Sequence, residues 1–333
     1  MYGVKEIEYS DWTNYIKEFE HTNLLQYGPY GAAKEETSFW KSVRFMVTDG
    51  NEIVALAQFL AITLPLFGGI ARMNRGPLLS KEIQKDDRES VSCKLIAALV
   101  EESQKRHWWV VQIAPDLPDT DASVKALKYI GLKKLDITPY ASGLISLYSD
   151  EEEMLMSLKG KWRNCLRKGF RSGVKVTQAN GNSSEMNILI NRYMKLQQDK
   201  GFLGIKESLI NALAEQKDES WEFKLFFANQ DEHIDIENSV GVLVCIRHGD
   251  TATYFIGSTN DKGRNLHANY VLLWEAILYA KHSGCKWFDI GGLDYTTPKG
   301  IAHFKQGLNS ELYNLVGEWR GFFPPWKSNK FKY

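Results

Sequence analysis

Tyr254-Phe-Ile-Gly-Ser-Thr-Asn260, His267-Ala-Asn-Tyr-Val-Leu-Leu-Trp-Glu-Ala-Ile277 and Trp287-Phe-Asp-Ile-Gly-Gly-Leu293 follow one another in the second half of the chain. The first lies in an apolar, β-rich run, Thr251–Ser258. The second opens a helix-period stretch from about Ala268 to His282, and the third falls in a short buried strand, Lys286–Ile290. Upstream, Phe223–Ala228 and Val240–Arg247 are strand-like runs on either side of an acidic loop, Asp231–Asn238. The order is three strands, a helix and a strand.

The first half has the same order. Ser42–Thr48 and Glu52–Ile62 flank Asp49-Gly50-Asn51, a hairpin signal, and Ile70–Leu79 is a third apolar run. Val91–His107 has helical period with Leu95, Ile96, Leu99 and Val100 on one face, and Trp108–Ile113 is a buried strand. Both helices end in a basic turn containing His and hand over to a strand containing Trp. This is an internal duplication with a period far above solenoid length. The expected fold class is α/β (α+β), with two tandem acetyltransferase-like domains, each on a mixed, mostly antiparallel sheet. One is expected over 1–150 and the other over 151–316. Periodicity alone leaves other α+β sandwiches open.

A chain of 333 residues accommodates two such domains. Its 41 Lys+Arg balance 41 Asp+Glu, so any basic site must be local. Ten Trp, 15 Tyr and 16 Phe supply large apolar surface and exclude intrinsic disorder. The four cysteines, at 93, 165, 245 and 285, are too dispersed for a metal knuckle and too few for a disulfide framework, which fits a reducing compartment. The seven His show no metal spacing, and no Ser/His/Asp arrangement is legible. There is no secretory signal and no run of 18 apolar residues, so the expectation is a cytoplasmic protein without a transmembrane segment.

Together with Gly300-Ile-Ala-His-Phe-Lys-Gln-Gly307, the quoted stretch resembles the FemABX family, aminoacyl-tRNA-dependent transferases that build peptidoglycan cross-bridges. Lys161-Trp-Arg-Asn-Cys-Leu-Arg-Lys-Gly-Phe-Arg-Ser-Gly-Val-Lys-Val176 is similar to the basic helix and strand that open the family's second domain. The likeness is strongest from 157 to 307 and weak before 150. The long helical hairpin of larger members is absent, so the chain resembles the short, FemX-like type. The family's fold, two tandem acetyltransferase-like domains with the C-terminus returning to the first, agrees with the duplication and implies that the domain over 1–150 is completed by 317–333.

Between Ser157 and Lys175 lie Lys159, Lys161, Arg163, Arg167, Lys168, Arg171 and Lys175 without an acid. Trp162, Cys165/Leu166 and Gly169/Phe170 recur at helical spacing, giving an apolar inner face and a basic outer face suited to the phosphates of tRNA or to a pyrophosphate. A solvated helix surface has the same pattern. The resemblance implies that Lys305, after Phe304, faces the reacting ester, where an ammonium would stabilise a tetrahedral oxyanion. Asp289, at a strand end before Gly291-Gly292, can face a ligand or cap a turn. Where the family has an acid proposed as base, this chain has Ala114: either Asp116 substitutes from two residues away, or no side-chain base exists and the amine loses its proton to solvent or to the leaving ester oxygen. By the same resemblance Lys41, Arg44 and Lys206 lie near positions that grip a precursor diphosphate. Tyr254 and Tyr270 line a peptide channel or sit in the core.

Coenzyme A needs small residues at the helix start that receives its pyrophosphate, and Arg264-Asn-Leu-His267-Ala-Asn269 has side chains there. The resemblance thus implies an aminoacyltransferase taking an amino acid from aminoacyl-tRNA to an amine of a peptidoglycan precursor, with no cofactor and with room for transient contact with the inner membrane surface. The alternatives are an acyl-CoA-dependent N-acyltransferase of a polysaccharide or small metabolite, and a non-catalytic RNA- or glycan-binding duplicate.

Overall fold

The computed structural model describes residues 2–64, 68–230 and 236–326, so most of the acidic loop expected at 231–238 lies outside the described residues. The chain divides into two compact units, Met1–Ala141 with Tyr313–Tyr333, and Ser142–Leu312. In the first, β1 (Gly3–Glu6), α1 (Tyr9–Tyr15) and α2 (Gly28–Glu36) precede the hairpin β2 (Lys41–Asp49) and β3 (Glu52–Leu64). Then come β4 (Gly68–Asn74), β5 (Leu78–Leu79), α3 (Arg88–Lys105), β6 (Trp108–Ala114), α4 (Asp121–Tyr129) and β7 (Lys133–Lys134).

The second begins with β8 (Ala141–Ser146), α5 (Glu151–Ser157), α6 (Gly160–Arg171), β9 (Lys175–Ala179), α7 (Ser183–Lys200) and α8 (Glu207–Glu215). It continues through β10 (Trp221–Asn229), β11 (Gly241–His248), β12 (Thr251–Thr259), α9 (Asp261–Asn265) and α10 (Ala268–His282). It ends with β13 (Trp287–Asp289), α11 (Lys299–Gln306) and β14 (Glu311–Asn314), after which β15 (Trp319–Phe322) completes the first unit.

The first sheet runs β1-β2-β3-β4-β6-β15-β7 with β5 paired to β3, and the second β14-β8-β13-β12-β11-β10-β9. Each contains a parallel junction, β4 with β6 and β12 with β13, among antiparallel pairs. This is the mixed, mostly antiparallel arrangement expected. The division comes earlier than residue 150 because β8 hydrogen-bonds to β13 and so belongs to the second sheet.

Alternation decides the faces. Odd-numbered Phe45, Val47, Ala57, Phe59, Ala71, Met73, Val111 and Ile113 point to one side of the first sheet, where Leu95, Ile96, Leu99 and Val100 of α3 cover them. Helix α10 differs from α3 in being apolar nearly all round: Val271, Leu272, Leu273, Trp274, Ala276, Ile277 and Ala280 are buried, so it is a core helix rather than a surface one. The basic segment forms α6 with Trp162, Leu166 and Gly169 buried as its spacing predicts, while Phe170 turns outward. At Gly169 the chain meets α10 so closely that a Cβ would lie 2.5 Å from Val271.

Candidate functional site

The site forms where a parallel strand pair stops. Thr251, Ala252 and Thr253 pair with Trp287, Phe288 and Asp289, and there the pairing ends. Beyond it β12 carries a bulge: Val244 faces Ile256 and Cys245 faces Tyr254, so Phe255 is the extra residue. The other strand turns through Gly291, whose φ is +71° and where a Cβ would lie 2.6 Å from the Tyr254 carbonyl oxygen and 3.4 Å from Lys305 Nζ. Both facts require glycine.

Asp289 holds this turn. Its Oδ1 accepts the Gly291 N–H at 2.8 Å and lies 2.5 Å from Ser142 Oγ, which is also 2.9 Å from the Gly291 oxygen. The carboxylate is buried and serves the turn directly; it also favours the charged form of Lys305.

Lys305 enters from α11. It is only 5% exposed, an unusual state for a lysine, and its Nζ donates to the Gly292 oxygen at 2.8 Å and sits 5.0 Å from the centre of the Tyr254 ring. Burial pushes its pKa down to about 8, against the pull of Asp289 and Asp294 in the other direction. It therefore remains mainly an ammonium at neutral pH, with desolvation making its field stronger than a surface lysine's.

An aromatic cluster fixes the helix that carries it. Phe304 stacks on Trp162 with ring centres 6.0 Å apart and meets Tyr270 edge-on at 5.0 Å, while Trp162 and Tyr270 meet at 5.1 Å. Trp162 Nε1 donates to the Phe304 oxygen at 3.1 Å. Gly307 is required beneath the same indole, since a Cβ there would lie 2.4 Å from it. The basic helix α6 is thus the floor under α11. That role of Trp162 was invisible in its sequence spacing, which marks only an inward-facing residue.

The two tyrosines stay protonated through the neutral range. Burial raises Tyr254 to about 12, and burial followed by a contact with Cys165 raises Tyr270 to about 12. Tyr254 lies back along its own strand over Gly257, where a Cβ would be 2.0 Å from its Oη.

On α6, Lys159, Lys161, Arg167, Lys168 and Arg171 are exposed. Arg163 is not a free member of this set: its guanidinium donates to the oxygens of Leu158, at 3.0 Å, and Met156, satisfying carbonyls at the end of α5. Lys206 is exposed at the N-cap of α8.

Asp116, Lys41 and Arg44 belong to the first unit. Asp116 is exposed in the turn after β6 and borders a cavity of about 320 Å³ with Arg88, Lys85, His21 and Glu20. Lys41 is exposed at the start of β2. Arg44 is buried, its Nε donating to Gln58 Oε1 at 2.9 Å and its guanidinium lying 4.8 Å from the Tyr9 ring centre, so as folded it is engaged inside the unit. Sequence inspection missed a polar network on the same sheet. Arg72 pairs with Glu318 at 2.7 Å, Gln112 donates to the other Glu318 oxygen at 2.7 Å, and Arg320 donates to Gln112 at 3.0 Å. Its signal was Arg72 and Gln112 at alternate positions in otherwise apolar strands.

The start of α10 is as the sequence suggested. His267 precedes the helix at φ +57°, a left-handed position that glycine would take freely, and its ring packs 5.9 Å from Tyr270. Arg264 is tied to Asp261 and to the Thr259 oxygen.

Residues 205–332 match the family model described as the FemAB family. Over that stretch the chain is similar to the FemAB family. A curated relative, the lipid II:glycine glycyltransferase of Staphylococcus epidermidis, is 20% identical over 91% of this chain and 89% of its own length. Among solved structures, that of FemX covers 96% of this chain and 97% of its own with a TM-score of 0.75 at 16% identity. A tandem GNAT protein from the clavulanic acid biosynthesis pathway covers 98% and 100% with a TM-score of 0.52 at 11% identity. At these identities the two structures establish the fold, the tandem acetyltransferase-like arrangement read from the duplication. No helix among the described residues is long and apolar enough to cross a membrane.

Proposed function

We propose that this protein is an aminoacyltransferase that moves an amino acid from the ribose ester of an aminoacyl-tRNA to an amine of a peptidoglycan precursor peptide. The observation that carries the proposal is the buried, charged Lys305 at the opening between β12 and β13. The acceptor nitrogen attacks the ester carbonyl, and the tetrahedral oxyanion gains the Lys305 ammonium as a preorganised partner. Collapse breaks the bond to the ribose oxygen, an amide forms, and the proton lost by the amine ends on that oxygen. Asp289 is not a base in this scheme, because the buried carboxylate already serves the Gly291 turn. The exposed cations of α6 supply phosphate contacts beside the helix that carries Lys305, and the relative that acts on lipid II supports a peptidoglycan acceptor.

The test is amide formation from charged tRNA and an amine-bearing precursor peptide, followed across pH. As pH rises through about 8 the ammonium is lost, so turnover should fall above that point, and Lys305→Arg, which stays charged, should remove the fall. A rise through the same pH that the variant abolishes would instead make Lys305 a base. Transfer from acetyl-CoA and none from charged tRNA would exclude the donor.

The acyl-CoA alternative is opposed by the side chains of His267 and Asn269 at the helix start and by the engagement of Arg264.

A further inference from the structure

One face of the first sheet is only partly covered. The side opposite α3 is overlaid by α1 and α2 along β2 and β3, where Gln26, Tyr27, Leu56 and Gln58 are buried. On the neighbouring strands no described helix covers that side, and its side chains are half-buried or exposed. Ile62 of β3 pairs in register with Ile70 of β4, Ile70 with Val110 of β6, and Val110 with Phe322 of β15. The four side chains therefore form one apolar row across four strands, with Ile70 44% and Phe322 50% exposed.

A second step extends the row toward one end. Leu64 pairs with Gly68, and the Trp109 indole lies so flat on Gly68 that a Cβ would be 2.3 Å from its ring. Trp326, 72% exposed, meets Trp109 edge-on at 5.2 Å. Single exposed apolar side chains are ordinary, but a contiguous patch of this kind marks an interaction surface.

The other border is cationic. One step along the strands, Arg72, Gln112, Arg320 and Lys133 are in register. The Glu318 carboxylate is taken by Arg72 and Gln112, which leaves the exposed Arg320 and Lys133 as positive charges beside Phe322.

We propose that this face of the first sheet seats the protein on an anionic lipid bilayer, with Ile70, Phe322 and Trp326 at the headgroup–acyl boundary and Arg320 and Lys133 against the lipid headgroups. A water-filled groove for a soluble ligand would not require the apolar row, whereas an interface that is apolar on one side and anionic on the other matches both borders. The proposal concerns a surface of the first unit and stands independently of the transfer reaction.

It is tested by co-sedimenting the full chain with vesicles of phosphatidylcholine containing phosphatidylglycerol, and with vesicles of phosphatidylcholine alone, with no tRNA or precursor present. The wild type should bind the anionic vesicles more tightly, and rising salt should weaken the binding. Phe322→Ser with Trp326→Ser should reduce binding by at least about tenfold with unchanged thermal unfolding, since both side chains are exposed. Arg320→Glu and Lys133→Glu should each weaken binding to the anionic vesicles by about fivefold or more and leave the neutral vesicles unaffected. Should an altered melting curve complicate the double variant, Trp326→Ser alone carries the apolar arm. Failure of the wild type to bind anionic vesicles at low salt, or binding indifferent to these substitutions, would overturn the proposal. So would a concentration-dependent dimer that Phe322→Ser dissolves, because the face would then belong to a second copy of the chain.

Discussion

The two parallel junctions differ in length, and the difference decides where a buried charge can stand. In the first unit β4 and β6 stay in register from Ile70 with Val110 to Asn74 with Ala114. Beyond that the backbone closes on itself, Arg75 N–H donating to the Ala114 oxygen at 2.6 Å and Asp116 N–H to the Gly76 oxygen at 3.2 Å. In the second unit the ladder ends at Thr253 with Asp289, β12 bulges and β13 turns away through Gly291. Lys305 comes into the opening and bonds the Gly292 carbonyl that the ladder no longer uses. The same order of elements thus yields a closed strand end in one copy and a charged site in the other.

The sharpest way to break this comparison is Lys305→Met. Loss of an oxyanion partner should lower turnover by about 100- to 1000-fold. Stability should move the other way. Lys305 holds its proton less tightly folded, at about 8, than at its ordinary value of 10.5, so its burial costs stability at neutral pH, and that cost is relieved as pH rises from about 8 to 10.5. The gap corresponds to on the order of 3 kcal/mol, offset in part by the Gly292 carbonyl left without its donor. The variant should therefore melt higher than wild type at pH 7, and the difference should vanish above the ordinary lysine value; equal melting at pH 7 would mean the charge is not held at a cost.

Gly291→Ala tests whether the early strand end is obligatory. With φ at +71° and backbone 2.6 Å from the new Cβ, it should cost at least about 2 kcal/mol in chemical denaturation. Gly284→Ala, at φ +81° with nothing within 4 Å, isolates the backbone contribution and should cost about 1 kcal/mol. Similar losses in the two would remove the close approach from the account.

On α6, Arg167→Glu with Arg171→Glu should weaken tRNA binding and reduce its salt dependence by about one unit of slope for each phosphate these arginines neutralise, with no change in unfolding. Arg163→Glu should in addition lower stability by about 1 kcal/mol, because the end of α5 loses its donor. Unaltered salt dependence in the double variant would leave that face as solvated surface. The smallest expected signal is acetyl-CoA in a calorimeter, with no binding tighter than roughly millimolar; micromolar binding would show that His267 and Asn269 leave room after all.

Much of this protein was legible before any coordinates. The apolar, β-rich runs Glu52–Ile62 and Val240–Arg247, the Asp49-Gly50-Asn51 turn and the helical period of Val91–His107 are local signals, and the strands and helices stand within a few residues of them. The duplication followed because the same local order recurs. Lys305 and the basic stretch were likewise visible as residue types in a family-like pattern. The rest depended on contacts between residues far apart in the chain. Nothing near Trp162 says that its indole would support Phe304 and so aim Lys305, and nothing near Arg163 says that its charge would be spent on the carbonyls of Met156 and Leu158. Nor does Arg44 announce that Gln58 would hold it inside the first unit. Period and composition report which face of an element is apolar. Which buried polar group finds a partner, and whether a lysine keeps its proton in an apolar setting, is settled only when distant strands and helices close around it, because desolvation and hydrogen bonding act over a few ångströms of space irrespective of sequence distance.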